Sequence, residues 1–145
     1  TCDLRVEWPV EQTVDDIYKN PKDDAVLRKY LCSSSPQNFR EINKQFELKY
    51  KKSISAVILK EFSGDEQLSL LLALQYQLNP DQLIPYALNR FIATNQELPL
   101  VYVSVCFAKY FKEKIVQMYQ PFGNFVNDVK KLKCAELIFI MWGCQ

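Results

Sequence analysis

Apolar residues recur at helical spacing along most of the chain. Residues three and four positions apart share one face of a helix, so this spacing predicts helices with one buried side. Strict alternation, as expected for strands, is confined to residues 101–105, and the flanks of that segment fit a helix equally well, so we predict a helix there. Three stripes follow one another in the first half: Phe39, Ile42, Phe46 and Tyr50; Ile54, Val57, Ile58 and Phe62; and Leu68, Leu71, Leu72, Leu74 and Leu78.

Prolines and capping residues divide the helices into short units. Ser35 followed by Pro36 is typical of a helix start, and the acidic pair Asp23 and Asp24 predicts another. Residues 63–66, with the sequence SGDE, have the form of a capping box. In that motif the Ser and Glu side chains each accept a hydrogen bond from a backbone N–H at the start of a helix. The pattern as a whole predicts an all-α fold.

The chain also resembles itself at a separation of 73 residues. This shift aligns Leu27 with Leu100, Ile42 with Ile115 and Phe46 with Tyr119. A period of this kind indicates two copies of one structural unit. We predict an N-terminal segment over residues 1–10, a well-matched repeat over 11–78 and a degenerate repeat over 79–145, each repeat with about five short helices.

Composition excludes several classes of function. A hydrophobic fraction of 48% is typical of a globular protein, and a net charge of +1 argues against a nucleic-acid partner. The chain has no histidine, which removes the commonest general base and the usual zinc ligand. Its three glycines form no phosphate-binding loop. We therefore expect no enzymatic activity.

The cysteines and the apolar runs bear on location. Five cysteines without a closely spaced pair favour reduced thiols over a disulfide framework. The first residues are too charged for a signal peptide, and the longest apolar run, Leu137–Trp142, is too short to span a bilayer. We expect a soluble cytoplasmic protein.

Five motifs of the first repeat form a recognisable set: Phe39-Arg40-Glu41-Ile42, Tyr50, Glu61, Ser63-Gly64-Asp65 and Leu71-Leu72. With these motifs, residues 23–74 resemble an annexin repeat. The degenerate second copy extends the likeness over nearly the whole chain, and residues 138–144 are similar to the end of the last annexin repeat. The resemblance implies an all-α fold of two annexin-type five-helix repeats packed side by side, like the C-terminal half of a four-repeat annexin.

The resemblance also implies a site in the first repeat. Annexin repeats hold calcium between a loop and a distant carboxylate, and calcium links the protein to phospholipid. Carried over, the ligands are the backbone carbonyls of Ile17, Lys19 and Pro21 and the carboxylate of Glu61. A lesser site uses the carbonyl of Lys22 and the side chain of Asp24. Tyr18 and Lys19 would contact lipid headgroups.

The sequence departs from the family at this loop. Lys19 and Pro21 replace two glycines, whose freedom lets the backbone turn tightly and direct its carbonyls at one point. We therefore expect calcium as a cofactor bound weakly or not at all. In the second repeat the aligned loop, residues 89–94, has no glycine, and Cys134 stands at the carboxylate position, so we expect no calcium there.

Two functions remain open from the sequence. One is a calcium-dependent phospholipid-binding protein that acts peripherally at membranes, with its calcium sites largely degraded and an anionic phospholipid surface as its partner. The other is a calcium-independent cytoskeletal or scaffold protein with the annexin fold. A dimer or a missing N-terminal half would cover apolar surface left by two repeats. The lysines at 49, 51 and 52 and at 130, 131 and 133 either attract anionic lipid or simply form solvated helix faces.

Overall fold

The computed structural model describes residues 5–111 and 114–144, with only the backbone of Lys109. Regular structure in these residues is helical, apart from an isolated bridge between Val6 and Ser34, so the predicted all-α fold is confirmed. None of the described helices has the length and apolar character needed to cross a bilayer. The helices are α1 (Val10–Lys19), α2 (Asp24–Ser33), α3 (Pro36–Tyr50), α4 (Ile54–Glu61), α5 (Gly64–Leu78), α6 (Leu83–Ala93), α7 (Glu97–Phe111), α8 (Ile115–Tyr119), α9 (Phe125–Lys130) and α10 (Ala135–Trp142), with a short 3₁₀ turn at Pro80–Gln82.

The chain folds into two compact units, Thr1–Pro80 and Asp81–Gln145. Unit 1 contains α1 to α5 and unit 2 contains α6 to α10, so each has the five helices expected of an annexin-type repeat. Of the N-terminal segment predicted over residues 1–10, residues 1–4 lie outside the described part. Trp8 holds the remainder to unit 1, because its backbone N–H donates to Asn38 at 2.9 Å and its indole N–H donates to Ser33 at 3.1 Å.

Side-chain caps are present at two of the predicted helix starts and absent at a third. Asp23 accepts from the N–H of Ala25 at 3.0 Å, and Ser35 accepts from the N–H of Asn38 at 3.2 Å. Ser63 does precede α5, but its hydroxyl makes no capping hydrogen bond. The predicted capping box is therefore wrong, because Gly64 has a left-handed φ of +61° that breaks the extended-to-helical path the motif needs.

The internal repeat is visible in the core. The positions aligned at 73 residues are completely buried in both units, and apolar burial of this kind is the main force that holds short helices together. From the fourth helix of each unit onward the separation falls to 71 residues, since α4 and α9 begin at Ile54 and Phe125, and α5 and α10 at Gly64 and Ala135. The buried pairs are Leu27 and Leu100, Ile42 and Ile115, and Phe46 and Tyr119.

A buried hydrogen bond joins α7 to α10 in unit 2. The indole N–H of Trp142 donates to the hydroxyl oxygen of Ser104 at 2.7 Å, and that hydroxyl donates to the carbonyl of Leu100 at 2.8 Å. All three residues are fully buried. An indole N–H left without a partner in such a place would incur a desolvation cost.

We expect Ser104→Ala to lower the free energy of unfolding by about 1–3 kcal/mol, because it strands the indole N–H of Trp142. Ser69→Ala is the control, since its hydroxyl bonds only to the carbonyl of Asp65 on an exposed helix face. The control should change stability by less than about 0.5 kcal/mol. Urea unfolding followed by circular dichroism measures both, and equal effects would contradict a structural role for the Ser104 hydroxyl.

Candidate functional site

The turn between α1 and α2 contains the predicted ligand loop. Ile17, Tyr18 and Lys19 form the last turn of α1, and Asn20 caps it. The N–H of Asn20 donates to the carbonyl of Asp16 at 3.1 Å, and its side-chain amide donates to the same carbonyl and to the Asp16 carboxylate, both at 2.9 Å. These bonds fix the end of the helix. Ile17, completely buried, anchors this turn in the core.

The three predicted carbonyl ligands of this turn, like the carbonyls of Tyr18 and Lys22, accept no backbone hydrogen bond from the described residues. The helical donor for the Ile17 carbonyl would be the N–H of residue 21, which is a proline and has none. No backbone N–H in residues 5–111 and 114–144 donates to the carbonyls of Lys19 or Pro21 either. Pro21 replaces a glycine of the family pattern. Because proline has no N–H, it also leaves the Ile17 carbonyl without a helical donor. Free carbonyl oxygens are ligands that calcium accepts.

Glu61 is the last residue of α4 and is half-buried. Its carboxylate makes no hydrogen bond or ion pair to the described residues. The neighbouring carbonyls are occupied, because the side-chain amide of Gln67 donates to Leu59 at 3.2 Å and to Phe62 at 2.6 Å. The carboxylate of Glu61 is therefore available as an oxygen ligand at the end of α4.

The convergence of Glu61 with the α1–α2 turn stays a prediction. Both lie in unit 1, where α1 packs on α2, and α2 and α4 each pack on α5. Among the described residues no group of three or more Cys, Asp or Glu could hold a metal ion. A calcium site here would thus consist mainly of carbonyls, with Glu61 as its single carboxylate, and this donor set is all oxygen, as calcium requires.

At the lesser predicted site, an ion pair competes with calcium for the side chain of Asp24. The carboxylate of Asp24 lies 3.2 Å from the guanidinium of Arg28, one helical turn along α2. Asp23 beside it serves as the cap of that helix. Lys22 is exposed, and its carbonyl and the Asp24 side chain remain the predicted ligands. Calcium would have to displace an exposed ion pair, which costs little.

Tyr18 belongs to a cluster that the sequence analysis missed. Its ring stacks on that of Tyr50, with centroids 3.7 Å apart and planes 2° apart. The ammonium of Lys52 lies 5.1 Å from the centre of the Tyr18 ring, within the range of a cation–π contact. The lysine run at the end of α3 is visible in the sequence, but its position beside Tyr18 is not.

Asp15 holds this cluster in place. Its carboxylate accepts from the Lys49 ammonium at 2.6 Å and from the Tyr50 hydroxyl at 2.5 Å. The hydrogen bond from Lys49, and then that from Tyr50, lower the pKa of Asp15 below its ordinary value, and the same bonds raise the pKa of both partners. We call Asp15, Tyr18, Lys49, Tyr50 and Lys52 the tyrosine–lysine cluster.

The second unit differs from the sequence interpretation in two ways. Residues 89–93 are helical, because α6 continues to Ala93, and the turn to α7 is only Thr94–Gln96; the predicted loop at 89–94 is wrong. Cys134 is the N-cap of α10, as Ser63 is of α5, so the shift of 71 residues aligns Glu61 with Leu132. Neither Cys134 nor Leu132 supplies a carboxylate.

Cys134 also lies against the Glu97 carboxylate. Its backbone N–H donates to the Glu97 carboxylate at 2.9 Å. Burial, with the Glu97 carboxylate beside it, raises the pKa of Cys134 to about 11, so the thiol is protonated at neutral pH. A neutral thiol is a poor ligand for calcium.

Comparison with known proteins agrees with this architecture. Residues 17–74 match the family model for annexins, which covers the α1–α2 turn, Glu61 and most of α5. Two solved structures share the fold of nearly the whole chain: the calcium-bound structure of alpha-11 giardin, with 19% identity, a TM-score of 0.69 and 97% of this chain covered, and that of alpha-14 giardin, with 17% identity, a TM-score of 0.68 and 95% covered. No curated protein sequence matches.

The family match over unit 1 and the shared fold over both units define an annexin-type protein. Most of unit 1 therefore matches an annexin repeat, and the chain as a whole shares the fold of the two giardins. It spans about half the length of the two giardins, covering 54% of alpha-11 giardin and 51% of alpha-14 giardin.

We expect Asp15→Asn to destabilise unit 1 at pH 7 and to have a smaller effect at pH 2.5. The folded-state pKa of Asp15 lies below the ordinary value of 3.8, so its contribution to stability is complete above that value and is lost as the pH falls through the folded one. Thermal unfolding at both pH values measures the difference. Asp81→Asn, at an exposed acid without a partner among the described residues, is the control. An equal effect of Asp15→Asn at both pH values would contradict the charged interaction.

Proposed function

We propose that this protein is a non-enzymatic annexin that binds anionic phospholipid surfaces from the cytoplasmic side, with calcium giving weak assistance through unit 1. The observation that carries the proposal is the α1–α2 turn, which presents three carbonyls without backbone hydrogen bonds next to the exposed Tyr18. Two structures with this fold, those of the giardins, were solved with calcium bound. This makes a calcium role in the present chain reasonable.

The carbonyls of Ile17, Lys19 and Pro21 and the carboxylate of Glu61 would hold the ion. Calcium takes about 6–8 oxygen ligands, so these four would leave positions for water and for a lipid phosphate. When bound, calcium would supply a positive charge that links the protein oxygens to that phosphate. Together these groups would form a rim of oxygen ligands, and buried Ile17 would fix the position of its carbonyls.

The lysines around the turn explain why calcium dependence should be weak. Lys19 and Lys22 are exposed beside the carbonyls, and their charges oppose a divalent cation. The same charges attract anionic lipid, at about 1 kcal/mol for each lysine close to the surface. Part of the attraction that calcium supplies in a glycine loop would here come from the protein itself.

The tyrosine–lysine cluster supplies the remaining lipid contact. Tyr18 is 43% exposed and is held rigid by stacking on Tyr50. A tyrosine combines an apolar ring with a polar hydroxyl and is favoured at the level of lipid headgroups. The ammonium of Lys52 above its ring would face the phosphates.

Glu61→Gln should reduce the calcium-stimulated part of binding to phosphatidylserine vesicles at least several-fold and leave calcium-independent binding unchanged. The substitution removes the single carboxylate of the proposed site while keeping its shape. Co-sedimentation over a calcium series, with chelator as the zero point, measures both parts.

Glu47→Gln is the matched control, because it makes the same change of charge at an exposed position of α3. Loss of the calcium-stimulated part in Glu61→Gln alone supports the site. Identical calcium curves for wild type and Glu61→Gln would refute the role of this carboxylate.

Lys52→Gln should weaken binding to phosphatidylserine vesicles in the absence of calcium by about fivefold, the equivalent of about 1 kcal/mol for one lysine at the surface. Lys44→Gln, at an exposed position in the middle of α3, is the control. Titration with vesicles in low and physiological salt gives the two affinities. An equal loss in both variants would show a general charge effect and would exclude a docking role for the cluster.

The alternative is a calcium-independent cytoskeletal or scaffold protein with the same fold. It is favoured by the lysines at the turn, by the ion pair of Asp24 and by the lack of a carboxylate at the position of unit 2 that corresponds to Glu61. Binding that is absent with and without calcium would move the proposal to this function.

A further inference from the structure

Tyr18 and Tyr50 are the one pair of tyrosines whose rings contact each other in residues 5–111 and 114–144. Their ring centroids lie 3.7 Å apart and their planes differ by 2°, whereas aromatic pairs usually have centroids about 4.5–7 Å apart. The other tyrosine rings of the described part contact a phenylalanine, a tryptophan or no aromatic ring. The stack therefore brings the carbons of two phenol rings into face-to-face contact.

An oxidant in solution can reach this pair. Tyr18 is 43% exposed, and Tyr50 is half-buried at the end of α3. By contrast, Tyr30 and Tyr119 are 5% and 0% exposed. An oxidant that removes one electron at a time acts on phenols that it can approach closely, so exposure decides which tyrosines react first.

The hydroxyl of Tyr50 has a proton acceptor in place. It donates to the carboxylate of Asp15 at 2.5 Å. A phenol that loses an electron becomes a strong acid, so a carboxylate at this distance takes its proton as the electron leaves. Because water is a weaker base than a carboxylate, Tyr50 is easier to oxidise than a tyrosine whose hydroxyl meets only water.

We propose that a one-electron oxidant, such as a peroxidase with hydrogen peroxide, joins Tyr18 and Tyr50 into a dityrosine cross-link between α1 and α3. Each phenol loses one electron and one proton, and the proton goes to Asp15 from Tyr50 and to water from Tyr18. The two radicals then form a carbon–carbon bond between one Cε atom of each ring. The hydrogens on these carbons move to the oxygens and restore both phenols, while hydrogen peroxide takes up the two electrons and two protons and becomes two molecules of water.

The fold makes this coupling internal to one chain. Tyr18 lies in the last turn of α1, Tyr50 is the last residue of α3, and these two helices pack on each other. Well-oriented groups held in contact react as if each were present at about 10⁵–10⁸ M, so a second chain at micromolar concentration cannot compete. The cross-link needs neither calcium nor lipid, so it and the proposed membrane function can each fail without the other.

The test treats the whole chain, at micromolar concentration and without calcium or lipid, with a peroxidase and hydrogen peroxide. We expect dityrosine fluorescence and a product with the mass of one chain less two hydrogen atoms. Mass spectrometry of its proteolytic fragments should place the cross-link between Tyr18 and Tyr50. Tyr18→Phe and Tyr50→Phe should each lower the yield of this product at least tenfold, because phenylalanine keeps the stacked ring but forms no phenoxyl radical.

Tyr102→Phe is the matched control. It removes a 69% exposed phenol of α7 that has no tyrosine ring against it among the described residues, and it should leave the yield unchanged. Unchanged far-ultraviolet circular dichroism of all three variants shows that each is folded. Products linked only between chains, oxidation without an internal cross-link, or an internal cross-link that survives Tyr18→Phe would overturn the proposal.

Discussion

Burial of a few repeated apolar positions is the constraint on which both units depend. Leu27, Ile42 and Phe46 in unit 1 and their counterparts in unit 2 are removed from water completely. Helices of 5 to 15 residues are marginal alone, so packing on these side chains determines where each helix can lie. Ile17, which is buried in this core, fixes the position of the α1–α2 turn.

Much of the fold could be predicted from the sequence because burial follows helical spacing. The stripes in α3, α4 and α5 and the caps at Asp23 and Ser35 report directly on local structure. The capping box failed because a sequence motif does not reveal that Gly64 takes a left-handed conformation. The loop predicted at 89–94 was wrong because the shift of 73 residues did not reveal that α6 continues to Ala93.

The candidate site was predictable only where its parts are local. The family pattern indicated Glu61 and the α1–α2 turn, but it could not show which carbonyls are free, since that depends on which N–H groups find other acceptors. The tyrosine–lysine cluster brings together Tyr18 and Tyr50, which are far apart in sequence and share no motif. Unit 2 is two residues shorter than unit 1 before its fourth helix. Cys134 therefore does not align with Glu61, and only the helix boundaries reveal this.

The bond between Glu97 and Cys134 has a consequence for the chemistry of α10. A thiol with a pKa of about 11 has roughly one molecule in ten thousand as thiolate at pH 7, and only the thiolate attacks a disulfide or an electrophile. Cys134, the N-cap of α10, therefore reacts slowly with disulfides and electrophiles at neutral pH.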